Sequence, residues 1–298
     1  MSPMSKDGGV FVRKKQAVFW LGAWICAALL LSSCGNTAAS SFGEMSAAFD
    51  RMDTLSSYTL TAQILFSNDP QYFAGALSEG ESDGYDTGLW SFEEAYEQED
   101  GAPRYRSHVE GEVTHRKTSE EQSPLWRTAS AYQLCYTDGF AGMQGEYTQI
   151  DRESGEEDHH KIPPHKQEVS FAEFLQKNSV QSWFPSFINE AAFANGKVGR
   201  PGDGQLCYRA TIPGAKLSVP LLDRSTNIRV EEAKLEILLK DGYVVEKAVD
   251  YTCTAQGKPC LIRVSASYAD LNVPVRLLLP NLNGYSLDQE PTGAVALW

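Results

Sequence analysis

The sequence predicts an α+β protein: one antiparallel sheet takes up most of the chain, with an amphipathic helix ahead of it and a helical insertion within it. Three observations predict this. Apolar residues recur at helical spacing in only two stretches. Period-two alternation fills much of the remainder. Asp-Gly and Gln-Gly pairs separate the alternating runs, where hairpin turns belong.

Phe42, Met45, Phe49, Met52 and Leu55 share one helical face, and Ser41 followed by Glu44 fits a capping box, so a helix is expected over 42–55. Tyr58, Leu60, Ala62, Ile64 and Phe66 alternate with polar residues and predict a half-buried strand. Residues 68–101 are acidic, glycine-containing and free of Lys and Arg, and read as a loop insertion. The acids around Asp83 and Asp86 do not follow the ligand spacing of a calcium loop. Strands are expected over 105–113, 126–136 and 147–150, with Asp138-Gly139 as a turn. Residues 151–168 are polar and contain Pro163-Pro164, so a loop is expected there.

The insertion begins at Ser170 and Glu173, a second capping box, ahead of Phe171, Phe174 and Leu175. Trp183, Phe184, Phe187, Ile188 and Phe193 continue it, and Asn195-Gly196 ends it. So many aromatic side chains suit either a lid over an apolar concavity or a helix pair covering a sheet.

Beyond it, 205–212 is a strand and 233–239 leads to Lys240-Asp241-Gly242. A three-residue loop here sets Ile237 opposite Val245, matching apolar faces, and is the expected register. A two-residue loop at Gln256-Gly257 pairs Tyr251 with Ile262, Val249 with Val264 and Cys253 with Cys260, opposed as a disulfide requires. Elimination leaves Cys135 with Cys207, both in the string Gln-Leu-Cys-Tyr. Free buried thiols are the alternative. Val275 to Leu279, between Pro274 and Pro280, reads as the last strand, and the segment after Asn281 as loop.

The N-terminus points outside the cytoplasm. Arg13, Lys14 and Lys15 precede an uncharged apolar run from Ala17 to Leu31, the length of a signal-peptide core and short for a bilayer span. The run ends in Leu31-Ser32-Ser33-Cys34-Gly35, which resembles the bacterial lipobox. That resemblance implies Leu31 at the recognition position, Ser32 and Ser33 as the small residues, and Cys34 as the thiol that receives diacylglycerol after cleavage. Residues 1–33 are then a signal peptide and 34–41 a lipidated tether. Two acyl chains anchor stably where one does not. The expected location is the extracytoplasmic face of a cell membrane.

Charge narrows the partners. The whole chain carries −13; without residues 1–33 it has 22 basic and 38 acidic residues, a net of −16. Such a surface repels nucleic acid and anionic headgroups.

The order of parts in the mature chain is similar to that of the LolA/LppX-like half-barrel lipoproteins. The strongest local likenesses are Met52 to Phe66, the Lys240-Asp241-Gly242 hairpin, and Asn272-Val273-Pro274-Val275-Arg276 running on to Pro280. The resemblance implies a single domain over 42–285, followed by a tail, 286–298. Its fold would be α+β, a curved antiparallel β-sheet (half-barrel) with a leading amphipathic helix and a helical insertion on the concave face. It also implies an apolar cavity, with Phe171, Phe174, Trp183, Phe184, Phe187 and Ile188 facing Tyr58, Leu60 and Ile64. The expected function is binding, carrying or sensing a hydrophobic ligand such as a lipid. The alternative is a non-catalytic envelope interaction module with a filled core that docks an envelope protein.

Chemistry is not expected. His159-His160 and His165 lie in a charged stretch without the spacing of a shared metal site, and His108 and His115 fall on opposite faces of a strand. No nucleophile elbow, metalloprotease helix or phosphate-binding loop occurs. Neither a cofactor nor a metal is expected.

Overall fold

The computed structural model describes residues 41–69, 85–116, 125–151, 154–185, 196–222, 227–255 and 257–287. The lipobox and signal peptide therefore lie outside the described residues, as do Phe187, Ile188, Phe193 and Asp83.

A single sheet of twelve strands organises the chain. In chain order the strands are β1 (Ser57–Ser67), β2 (Tyr85–Glu99), β3 (Ala102–Arg116), β4 (Leu125–Thr137), β5 (Phe140–Asp151), β6 (Glu157–Glu168), β7 (Lys197–Gly199), β8 (Gln205–Pro213), β9 (Ile228–Lys240), β10 (Tyr243–Ala255), β11 (Lys258–Ala269) and β12 (Ser286–Leu287). Their spatial order is β12-β6-β5-β4-β3-β2-β1-β11-β10-β9-β8-β7, a curved and unclosed sheet. Two meanders, β1–β6 and β7–β11, meet along the β1/β11 ladder, where Leu60 faces Tyr268 and Ile64 faces Val264. Every neighbouring pair is antiparallel except β12 with β6. Helix α1 (Phe42–Asp53) leads the sheet; helix α2 (Phe171–Asn178) and a 3-10 turn, Val180–Trp183, follow β6.

Hairpin chemistry follows local sequence. Asp100-Gly101, Asp138-Gly139 and Asp241-Gly242 all have positive φ at both residues, the geometry that matches the twist of paired strands. The 240–243 hairpin thus uses a two-residue turn, with Lys240 opposite Tyr243, and corrects the three-residue expectation. A bulge at Val245 then shifts the register, so that Val244 enters the core and Ile237 faces Lys247. At the next hairpin Tyr251 faces Ile262, Val249 faces Val264 and Cys253 faces Cys260, in the expected register.

Three segments differ from their sequence expectation. Residues 85–99, expected within an acidic loop, form β2: Trp90, Phe92 and Tyr96 alternate there, masked by flanking acids. Residues 157–168, expected as loop, form β6. It pairs with β5, and only His165 and Lys166 meet β12 on its other side; Pro163 and Pro164 sit there because an edge backbone needs fewer N–H donors. Val275–Leu279 is not a strand. Residues 273–281 run as an extended strap into a 3-10 turn, Leu282–Gly284, fixed by Ser57 Oγ donating to the Val273 carbonyl at 2.7 Å and Lys166 Nζ to the Leu282 carbonyl at 2.9 Å. Prolines at both ends remove the donors a ladder would use.

One face of the sheet is apolar. Register places Tyr58, Leu60, Ala62 and Ile64 of β1 beside Tyr96, Glu94, Phe92 and Trp90 of β2, all buried except the partly buried Tyr96. Trp90 lies flat across Gly88 and Gly111, where an added Cβ would fall 2.1 and 2.2 Å from its ring. The two glycines are the seat of that ring, so Gly111→Val should force Trp90 out of its rotamer. We expect a loss of about 3 kcal/mol in urea unfolding, from overpacking of a tight core, while the same substitution at exposed Gly284, where an added Cβ meets nothing within 4 Å, removes no such seat.

Candidate functional site

The apolar face and its helical cover form the candidate site. α1 packs Met45 and Ala48 onto it and is pinned at both ends. Arg200 pairs with Glu44 at 2.6 Å, and Arg51 Nη1 donates to the Gly242 carbonyl at 2.9 Å. Glu44 is thus engaged with β7's flank, and Ser41 makes no side-chain cap, unlike the capping box expected there. At α2 the cap forms: Ser170 Oγ accepts from the Glu173 amide at 3.2 Å. Phe171 and Phe174 then pack among aromatic rings of three strands. Phe174 meets Tyr105 edge-on with centroids 5.2 Å apart, and Phe171 lies 5.0 Å from Tyr136 and 5.6 Å from Tyr96.

Between the helices, residues 179–183 are held by polar bonds inside the core. Ser179 Oγ donates to Glu94 at 2.9 Å and the Val180 amide donates to the other Glu94 oxygen at 2.8 Å. Gln181 Nε2 donates to the Tyr58 hydroxyl at 3.0 Å, and the Tyr251 hydroxyl donates to the Trp183 carbonyl at 2.7 Å. One five-residue stretch is thereby tied to β1, β2 and β10, across both meanders. Burial pushes the Glu94 carboxyl up to about 6 against the opposing pull of those donors. The hydroxyls of Tyr105 and Ser107, beside it by register, are buried without a well-formed hydrogen bond; burial, and after it Glu94's charge, push Tyr105 well above its ordinary range.

A second polar group interrupts the same face. The Lys247 ammonium lies 5.2 Å from the Phe49 ring centroid, 5.5 Å from Phe184 and 5.5 Å from Tyr268. Those rings come from α1, the end of the 3-10 turn and β11. Burial lowers the amine to about 8, with Asp53 pulling weakly the other way.

Six of the nine residues expected to line a cavity, Tyr58, Leu60, Ile64, Phe174, Trp183 and Phe184, are buried together in one core, and Phe171 packs against it. Phe187 and Ile188 lie outside the described residues. The gap between α2 and the β5–β6 side of the face is only about 40 Å³, lined by Met143, His165, Gln167, Val169 and Phe174 among others, room for about a water molecule. A shallow depression of about 490 Å³ lies on the opposite face over β8–β10, with Lys197, Arg209, Lys234, Glu236 and Asp250 on its walls; its charge does not suit an apolar ligand. Neither polar group on the apolar face was anticipated from sequence. The signals were present: Glu94 takes the inward position of Trp90-x-Phe92-x-Glu94-x-Tyr96, and Lys247 takes that of Lys247-x-Val249-x-Tyr251.

Cys135, Cys207, Cys253 and Cys260 are buried, and none of them is joined in a disulfide. Cys253 and Cys260 oppose one another as expected, without a bond. Cys135 and Cys207, matched by elimination, sit on β4 and β8, seven strand spacings or roughly 34 Å apart along the sheet. No bond joins them without dismantling the sheet. His159 bonds Thr148 and Glu157, whereas His160 pairs with Asp158 and stacks on Tyr147, so the two rings serve opposite faces of β6. Among the described residues no group of His, Cys, Asp and Glu is arranged to hold a metal. No helix among them is long and apolar enough to cross a membrane.

No protein-family model matches the chain, and no curated protein matches it. Among solved structures it is similar to a β-barrel-like protein of a domain of unknown function, DUF1849, from Brucella abortus, with 7% identity over 71% of this chain and 95% of that one. The TM-score is 0.22, and at that value nothing about activity follows.

Glu94 makes the cover pH-sensitive. Its folded carboxyl stands near 6 against an ordinary 4.5, so the native state holds an extra proton between those values. Stability is then greatest below about 4.5 and falls as pH rises through 6. Measured against Glu94→Gln, whose amide does not titrate, the wild type should lose about 2 kcal/mol across that window in chemical denaturation. An unchanged difference at both pH values would remove Glu94 as the titrating group. Glu94→Ala should destabilise at every pH by about 3 kcal/mol, since it leaves the Val180 amide buried and unpaired.

Proposed function

We propose that the chain is an exported, membrane-anchored lipoprotein, lipidated on Cys34, whose sheet binds, carries or senses a hydrophobic molecule such as a lipid. It works by affinity and not by catalysis. One observation carries the ligand reading: an apolar face contributed by both meanders is covered mainly by a twelve-residue helix, an eight-residue helix and a four-residue turn, each tied down at separate points. Short elements held by a few polar anchors move more easily than strands in a ladder. Parting them would bare the aromatic layer formed by Phe171, Phe174, Tyr96, Tyr105 and Tyr136 to an acyl chain. The anchor reading rests on the order of charge block, apolar run, small residues and cysteine in residues 13–34.

A second reading has its own support. The gap of about 40 Å³ under α2 is far too small for a lipid tail, which suits a filled core whose loops or outer face dock another envelope protein.

Native mass spectrometry of the full chain, purified from its own host and released from detergent, separates the two. We expect a non-covalent adduct that is lost on denaturation and extractable into organic solvent. A bare native mass, with no uptake of a fluorescent fatty acid, would leave the docking reading. The denatured mass tests the anchor independently: it should carry a diacylglycerol addition that Cys34→Ser abolishes, together with membrane association.

A further inference from the structure

An ammonium held against an apolar face among aromatic rings, without an acid beside it, is costly, and chains seldom keep one without use. Lys247 is in that position. Its long stem and charge lie on the apolar face between α1 and the 179–183 turn, half-buried, with three aromatic rings about it. The negative ring faces offset part of the lost hydration. No hydrogen-bond acceptor or ion pair takes its three donors among the described residues; Asp53 acts on it only from a distance. No other Lys or Arg of the described residues is enclosed by this face. The elements beside it are fixed independently: α1 by Arg51 and Glu44, the turn by Glu94, Tyr58 and Tyr251. Neither set of anchors joins α1 to the turn.

We propose that Lys247 is the head-group site for an amphiphile with a single carboxylate, such as a fatty acid, whose tail enters the seam between α1 and the 179–183 turn. This inference rests on the ligand-binding reading above and names its ligand class. The charge argument selects a monoanion. One ammonium neutralises one carboxylate, whereas a phosphate dianion would leave excess charge in a core with no second enclosed cation, inside a protein already strongly acidic. The carboxylate supplies the acceptors that the ammonium lacks, and the tail meets Phe49, Phe184, Tyr268 and Ala266. Reaching the site needs no basic surface, because the partner's charge is met only within the seam.

The test uses the full chain in lipid nanodiscs with two photoreactive probes of equal length, a diazirine fatty acid and the matching fatty alcohol. Cross-linked peptides are mapped by mass spectrometry. In the wild type the acid should label the peptides around Phe49 and Phe184 roughly tenfold more than the alcohol does, the scale of one charge-assisted hydrogen bond. Lys247→Met preserves stem length and ring contacts; it should bring acid labelling down to the alcohol's level, and Lys247→Arg should keep the preference. Equal labelling by acid and alcohol in the wild type, or a preference that survives Lys247→Met, overturns the head-group assignment while leaving an apolar site. No labelling of the seam by either probe overturns the ligand reading itself. A measurement on the wild type alone guards against a misfolded variant: decanoate should protect Lys247 from reductive methylation and decanol should not. Equal modification in both would also refute the proposal.

Discussion

Glu94 sits on the inward face of β2 with both carboxylate oxygens taken, one by Ser179 Oγ and the other by the Val180 amide. The turn after α2 is positioned from that point. The sheet can form its ladders from backbone alone, but its apolar face must be covered by residues from a distant part of the chain. An aromatic layer provides affinity without direction, since rings pack acceptably in several registers. The two bonds to Glu94 do have direction, and they fix where the chain turns after α2. Gln181 and Trp183 then reach Tyr58 and Tyr251, and α2 drops Phe171 and Phe174 between Tyr96, Tyr105 and Tyr136. The carboxylate gains these donors and loses its water, and its raised proton affinity records that the loss is the larger effect.

The β1/β11 ladder has a different role. It joins two meanders that would each be an open sheet with an exposed edge, and it does so between segments about two hundred residues apart in sequence. At the far edges the chain blunts the strands differently. β6 carries charged side chains and paired prolines, and only His165 and Lys166 meet the short β12. β7 is three residues long. The outer face bears cross-strand pairs, Arg263 with Asp250 and Arg209 with Glu236, which suit a solvated surface and are worth little each.

How much of this was legible in the sequence varied with the range of the interaction. α1, β1 and β8, the Asp138-Gly139 turn, the cap at Ser170 and the register that opposes Cys253 to Cys260 are all decided within a dozen residues, and local pattern located them. β2 escaped because the acids between its aromatics lower its apparent hydrophobicity; only its pairing with β1 buries Trp90 and Phe92. β6 escaped because an edge strand need not alternate. Elimination placed Cys135 with Cys207, yet identical neighbouring residues say nothing about which strands meet, and the topology holds them apart. Of the candidate site, the aromatic residues were identified as a group, as a lid over a concavity or a cover on a sheet; the described ones lie in or against the core.

The sequence by itself determined the local grammar of this protein: where a helix starts, where a strand alternates, where Asp-Gly forces a turn, and the signal-like order of charge, apolar run and Cys34. Those depend on backbone sterics and on side chains a few positions apart. The tertiary structure alone decided which strands became neighbours, what would close over Glu94 and Lys247, and that the aromatic insertion would sit as a cover. A bulge of one residue at Val245 reverses which side chains meet the core, and the bonds to Glu94 span eighty-five residues. The energy of either feature exists only once the sheet is assembled around it, so no local pattern announces it.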